Sequence, residues 1–100
     1  MPESKRYRLH PEAWLEIEGA EQWYQRQSPD SAAEFVSEVF DAILEIRATP
    51  HRWPAHLYGT RRYMLDRFPF SIIYLDTPEL VNIVAVAHSK RKPGYWRRRL

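Results

Sequence analysis

The sequence predicts an α+β domain in which an antiparallel helical hairpin packs on one face of a single sheet. Three observations predict it: a short alternating strand comes first, two segments of helical period follow, and three strand-like segments complete the chain. A length of 100 residues suits one domain covering residues 1–100. A hydrophobic share of 44% and a charged share of 28% are typical of a globular chain.

The first strand and the first helix are predicted from a change of period near residue 10. The strand alternates, with Tyr7 and Leu9 on its buried side. Pro11 suits the first turn of a helix, where its missing N–H costs nothing, and apolar residues recur at helical spacing to about residue 27. Trp14 and Tyr24 are expected in the core.

The second helix follows after a connection so short that the two helices should run antiparallel. Ser28 is expected to cap its N-terminus, with Pro29 at the first helical position. Thr49 and Pro50 end it. Its predicted buried seam consists of Ala32, Phe35, Val36, Val39, Ile43 and Ile46.

The C-terminal half is predicted as an antiparallel meander. A loop over residues 51–59 leads to strands at Arg61–Leu65, Phe70–Leu75 and Leu80–Ala87, the last ending at His88. Pro69 fits the start of a strand, where no donor is required. The first strand of the chain is expected to join the same sheet, and one helical turn is compatible with the segment after Pro93.

Charge is divided unevenly along the chain. Residues 1–50 hold five Lys/Arg and ten Asp/Glu, a net charge of −5, whereas residues 51–100 hold ten and three, a net charge of +7. A basic surface favours polyanionic partners, although ordinary solvated surface is the plainer interpretation. The absence of cysteine, of an apolar leader and of a membrane-length apolar run predicts a cytoplasmic protein with no membrane partner.

Most catalytic and cofactor motifs are missing from the sequence. The four histidines have no metal-ligand spacing, the three glycines are isolated and no nucleophile motif is present. We therefore predict no metal and no cofactor.

Arg61, Arg62 and His88 are the residues best suited to chemistry. Arg61 and Arg62 are neighbours on a strand, so only one of them can face the open, concave side of the sheet, and the sequence does not say which. Either arginine could bind phosphate or protect a sheet edge. His88, just past the last strand, could act as a general acid or base, or simply pack at the strand end.

The C-terminal cations could contact a target or a nucleic-acid backbone, with aromatic rings available for stacking. For Trp96 itself, packing against the core is favoured over exposure. The predicted contact residues are Arg67, Lys90, Arg91, Lys92, Tyr95, Trp96, Arg97 and Arg98, with Arg99 next to them in the same basic run.

Two segments resemble the RelE/ParE family of toxins from bacterial type II toxin–antitoxin modules. Residues 61–74 are similar to the family's basic strand, Phe-Pro turn and Tyr-ending strand, and residues 84–96 are similar to the next strand with its terminal His and Pro-containing basic segment. Ser28-Pro29 between the helices and Pro50 after them also match. The ordered set covers nearly the whole chain.

The resemblance implies a growth-inhibiting toxin of a plasmid-stabilisation module, neutralised by a cognate antitoxin. ParE-like members inhibit DNA gyrase, and RelE-like members cut mRNA on the ribosome. The Phe-Pro turn and the His-x-x-Arg-x-Pro segment starting at His88 are more ParE-like. The antitoxin is expected over the helical hairpin and the concave sheet face, with acidic residues facing some of the Arg61–Arg67 and tail cations.

Three functions stay open on the sequence. The favoured one is stoichiometric gyrase inhibition through the basic C-terminal segment, with truncation after Lys92 expected to abolish toxicity without unfolding the sheet. The second is a ribosome-dependent mRNA endonuclease, in which Arg61 or Arg62 stabilises developing charge and His88 acts as general acid. The third is a non-toxic binding module of the same fold.

Overall fold

The structure, a computed structural model, describes residues 4–100. Its elements occur in the predicted order: β1 (Arg6–Leu9), α1 (Pro11–Gln27), α2 (Pro29–Ala48), β2 (Arg61–Met64), β3 (Phe70–Asp76) and β4 (Leu80–His88). Single 3-10 turns lie at Leu57–Gly59 and Arg97–Arg99. The predicted α+β class is confirmed.

The strands form one mixed sheet in the order β1-β4-β3-β2. β2, β3 and β4 make the predicted antiparallel meander, with Arg62 opposite Ile73 and Phe70 opposite His88. β1 pairs in parallel with β4, so β4 becomes a central strand and β1 an edge strand. No helix within residues 4–100 is long and apolar enough to cross a membrane.

The main core lies between the helical hairpin and one face of the sheet. The predicted seam of α2 is confirmed, since Phe35, Val39, Ile43 and Ile46 are at most 1% exposed. They pack against Ile72, Tyr74 and Ile83 from the sheet. Burial of this apolar surface stabilises the hairpin on the sheet by about 25 cal/mol for each Å² removed from water.

Of the two α1 residues expected in the core, Tyr24 packs against it and Trp14 does not. Trp14 is 46% exposed, because Ala13 and Ile17 fill the sheet-facing side of α1 and the next side chain points about 100° away. Tyr24 is partly buried, in an aromatic cluster with Phe35, Phe68 and Phe70.

Ser28 occupies the predicted N-cap position of α2 but makes no side-chain cap hydrogen bond. Backbone hydrogen bonds of Ser28 connect the two helices instead: its N–H donates to the Tyr24 carbonyl at 2.8 Å, and its carbonyl accepts from the Ala32 N–H at 3.2 Å. α1 has the side-chain cap instead, where Nδ1 of His10 accepts from the Glu12 N–H at 3.1 Å. Pro29 begins α2 as predicted.

A second, smaller core lies on the opposite face of the sheet, which we call the helix-free face. A register shift between Ile73 and Tyr74 in the β3–β4 pair places Val84 and Ala85, consecutive residues, in this core. Trp96 completes it. This small core exists because the chain after β4 turns back across the sheet.

Candidate target-binding surface

Residues 89–100, the C-terminal tail, form an ordered layer on the helix-free face. Trp96 is 1% exposed and packs against Ile73, Val84 and Ala85, which confirms the packing favoured from sequence. Its burial removes it from the predicted contact residues. Truncation after Lys92 would remove Trp96 and uncover this apolar cluster, so we expect the truncated sheet to be destabilised.

A glycine shapes the turn that returns the tail to the sheet. Gly94 has φ +84°, a conformation that costs L-residues energy. A Cβ at this position would also lie 3.1 Å from the ring of Tyr58. Glycine is therefore required here both by the backbone conformation and by the close approach of Tyr58.

The end of the tail is attached to α1 through Glu16. The Arg99 guanidinium donates to both carboxylate oxygens of Glu16, at 2.9 and 3.1 Å, and to the Val84 carbonyl at 3.2 Å. The Tyr95 hydroxyl and the Val86 N–H also donate to Glu16. We call this group the Glu16 clasp, and it links α1, β4 and the tail.

The clasp is nearly closed to water, with side-chain exposure of 9% for Arg99 and 16% for Glu16. Burial and the hydrogen bond to Glu16 raise the pKa of the Tyr95 hydroxyl, so it stays a donor at neutral pH. Burial alone would lower the pKa of Arg99, but the hydrogen bonds and charge of Glu16 outweigh this and raise it. Arg99 is therefore a structural residue of the tail.

The remaining tail cations stay on the surface. Lys90, Arg91, Lys92, Arg97 and Arg98 are all exposed. Two are ordered by aromatic rings: Arg91 lies 3.8 Å from the centroid of Tyr95, and Arg97 lies 4.6 Å from that of Tyr58. The tail thus displays five cations from a fixed support, with Tyr95 half-buried beneath them.

Arg67 belongs to a different surface. Its guanidinium lies 3.6 Å from Glu34 and 3.8 Å from Glu38 on α2. It borders an open groove of about 510 Å³ whose carboxylates are Glu34, Glu38, Asp41, Glu45 and Asp66. No tail residue lines this groove, whereas several tail residues line the cavity on the helix-free face.

Arg61 and Arg62 point to opposite faces of β2, as the pleat requires. Arg61 donates to the Trp53 carbonyl at 2.6 Å. It shares a face with Tyr63, whose hydroxyl donates to Glu45 of α2 at 2.6 Å. Arg62 is exposed on the helix-free face and is therefore the arginine on the concave side.

His88 lies on the helix-bearing face of the sheet. It is opposite Phe70 in the β3–β4 pair, and the two rings meet edge to face at 4.9 Å. Its Nδ1 accepts from the Lys90 N–H at 3.0 Å, which orders the turn after β4. His88 and Arg62 border a common cavity, but their side chains leave the sheet on opposite faces. Arg62 and His88 thus meet at one cavity, while Arg61 is turned away from it toward the Trp53 carbonyl.

Two residues that lie against the tail, Glu16 and His56, were not identified from the sequence. Glu16 looked like an ordinary solvated residue on an acidic helix, and its partners lie 70 to 83 positions away in sequence. His56 was read as loop; it is half-buried near Trp96, and burial and the charge of Arg62 lower its pKa. Within residues 4–100, no three acidic or histidine side chains form a group suited to a metal ion.

Comparisons with known proteins agree with this architecture. A sequence model for the family described as "ParE toxin of type II toxin-antitoxin system, parDE" matches residues 7–93. A solved structure titled "Chromosomal ParDE TA system from P. aeruginosa" superposes with a TM-score of 0.77 at 14% identity, covering 87% of this chain and 98% of that one. At such low identity the superposition shows the fold alone. A search of curated proteins gave no significant match.

Proposed function

Because the chain belongs to the ParE toxin family of type II toxin–antitoxin systems, we propose that it inhibits bacterial growth by poisoning DNA gyrase. In this proposal it acts stoichiometrically in the cytoplasm and is neutralised by a cognate antitoxin. No bond in the target is made or broken by the toxin itself. Family membership supports the toxin role, and the surface of the tail supports the mode of action.

The observation that carries the proposal is the ordered display of five exposed cations on a tail that is attached through Trp96 and Arg99. Trp96 anchors the tail in an apolar core, and Arg99 fastens its end to Glu16. A pre-ordered basic surface loses less conformational entropy on binding than a free tail would. It also speeds encounter with an anionic target such as gyrase bound to DNA.

Endonuclease chemistry finds less support in the geometry. Proton transfer and charge stabilisation at one phosphodiester require the general acid and the cation to reach the same bond. His88 and Arg62 line one cavity but leave the sheet on opposite faces, and Arg61 is engaged by a backbone carbonyl. Cleavage of mRNA is therefore kept as an outcome of the test below, as is the non-toxic binding module.

The antitoxin is proposed to cover the outer side of the hairpin and part of the helix-free face. Trp14, Leu15 and Leu44 on the helices are 46%, 63% and 57% exposed, which leaves apolar surface for a partner. The tail cations and Arg62 favour acidic residues in the antitoxin. A co-purified partner without acidic residues at these contacts would contradict this part of the proposal.

The test is a supercoiling assay with purified gyrase, run beside an mRNA cleavage assay in a translating extract. We expect trapped gyrase–DNA complexes and intact mRNA. The double variant Arg97→Gln/Arg98→Gln should inhibit gyrase weakly, while Arg26→Gln, which removes a cation exposed at the end of α1, should inhibit like wild type.

Cut mRNA with unaffected gyrase would overturn the proposal in favour of the endonuclease. A folded protein that affects neither assay, and whose overexpression without antitoxin leaves growth unchanged, would favour the non-toxic binding module. Equal inhibition by wild type and by the double variant would keep gyrase as target but remove the tail from the contact.

A further inference from the structure

A small cavity of about 70 Å³ lies where the tail crosses the helix-free face. It has about twice the volume that one water molecule occupies in the liquid. One wall comes from the sheet, with Arg62 of β2 and Ser71 of β3, and the other comes from the tail and from His56. It is enclosed more tightly than the acidic groove beside α2.

Six polar side chains line this cavity with two guanidinium groups, one ammonium group, two hydroxyls and one imidazole: Arg62, Arg91, Lys92, Ser71, Ser89 and His56. His88 and Tyr95 also line it, but Nδ1 of His88 accepts from the Lys90 N–H and the Tyr95 hydroxyl donates to Glu16. None of the described residues that line it is acidic. The surroundings therefore favour an anion. The groove beside α2, in contrast, is lined by five carboxylates and is acidic.

Two of the cations around this cavity, Arg91 and Arg62, are positioned by contacts within the fold. Arg91 is stacked on the Tyr95 ring, and Tyr95 is itself held by Glu16. Arg62 comes from a strand paired on one side with β3 and bonded through its N–H to the Pro54 carbonyl at 3.1 Å. A site built on such elements is pre-organised for its ligand.

We propose that these six residues bind one phosphate group of a nucleic-acid backbone. Two guanidinium groups and one ammonium group approach from different directions, which suits the several oxygens of a phosphate. The hydroxyls of Ser71 and Ser89 supply further donors. The site has room for a single phosphate, so the rest of the nucleic-acid strand contacts the exposed tail cations. The proposal does not require gyrase to be the target.

Fluorescence anisotropy of a labelled oligothymidylate of about 12 nucleotides tests the proposal over a range of salt concentrations. Each lost phosphate contact should reduce the salt slope of log K by about 0.7 for a single strand. The double variant Arg62→Gln/Lys92→Gln should therefore lose about 1.4 of the slope, and each single variant should bind about tenfold more weakly. Arg62→Lys should keep the slope, because it keeps the charge.

Arg26→Gln removes one charge from the end of α1, away from the cavity, and serves as the matched control for each single variant. Loss of slope in the double variant but not in the control supports the site, whether or not gyrase inhibition changes. Equal slopes in wild type and double variant, or no binding by wild type, overturn it. Inorganic phosphate at low millimolar concentration should displace the oligonucleotide; binding that phosphate leaves intact also contradicts a phosphate site.

Discussion

Removing the Glu16 carboxylate should destabilise the protein far more than removing the neighbouring carboxylate of Glu12. Both acids face Arg99, but Glu16 is 16% exposed and Glu12 is 48% exposed. Glu16→Ala leaves a nearly buried guanidinium without its main partner and frees the Val86 N–H and the Tyr95 hydroxyl. The change should therefore act at the junction of α1, β4 and the tail.

The magnitude follows from the burial of the pair. Breaking a buried ion pair by removing one partner typically costs about 3–5 kcal/mol, whereas an exposed pair contributes about 0–1 kcal/mol. Glu16→Ala should lower the free energy of unfolding by about 3 kcal/mol, at the low end because water reaches the rim of the clasp. Glu12→Ala should cost about 0.5 kcal/mol.

Urea denaturation followed by tryptophan fluorescence measures both variants against wild type. The double variant Glu16→Ala/Arg99→Ala completes a thermodynamic cycle and should show a coupling of about 2 kcal/mol, because it also removes the unpaired charge. Equal costs for Glu16→Ala and Glu12→Ala, or a coupling near zero, would refute the assignment of Glu16 as the residue that fastens the tail.

Three further predictions rest on single side chains. Trp96→Ala should lower the free energy of unfolding by about 3–5 kcal/mol in urea denaturation. Trp14→Ala, at an exposed position, should lower it by under about 1 kcal/mol. Similar losses for the two variants would contradict the burial of Trp96. Gly94→Ala should destabilise the protein by about 1 kcal/mol or more, because Gly94 has a positive φ and a close neighbour. Gly19→Ala should stabilise it by up to about 1 kcal/mol, because Gly19 lies in a helix with open space around it. Thermal denaturation should therefore show changes of opposite sign. Burial raises the pKa of Tyr74 to about 12, so the stability that its hydroxyl contributes is complete below about pH 10 and is lost as the pH rises toward 12. Tyr74→Phe should remove that part of the loss of stability at alkaline pH, and an unchanged dependence of stability on pH would contradict this.

The helices and strands could be predicted because their signals are local. Pro11 and Pro29 predicted where both helices begin, and the apolar period predicted their ends to within a residue or two. The Phe-Pro turn and the apolar runs after it predicted the meander. The partial failures are also local in origin. Trp14 was placed in the core by size and hydrophobicity, yet the helix period gives the buried positions to Ala13 and Ile17.

The parallel pairing of β1 with β4 and the fold of the tail could not be predicted from local sequence patterns. Residues of β1 meet partners 74 positions later in the chain, as Arg6 meets Leu80, and no local pattern records such a pairing. Alternation showed that Arg61 and Arg62 diverge, but the choice of face depends on which side the helices cover. Only the packed structure places Arg62 on the helix-free face.

The acidic and basic halves of the sequence are partly paired with each other in the folded chain. Part of the attraction between the acidic half and the basic half is satisfied internally, since Glu12 and Glu16 of the first half hold Arg99 of the second. That internal pair fixes the tail, and the fixed tail in turn presents the other cations to solvent. A basic run that looks like a solubilising tail in sequence is thus partly structural, and charge reversal at Glu16 should weaken target binding without touching any exposed cation.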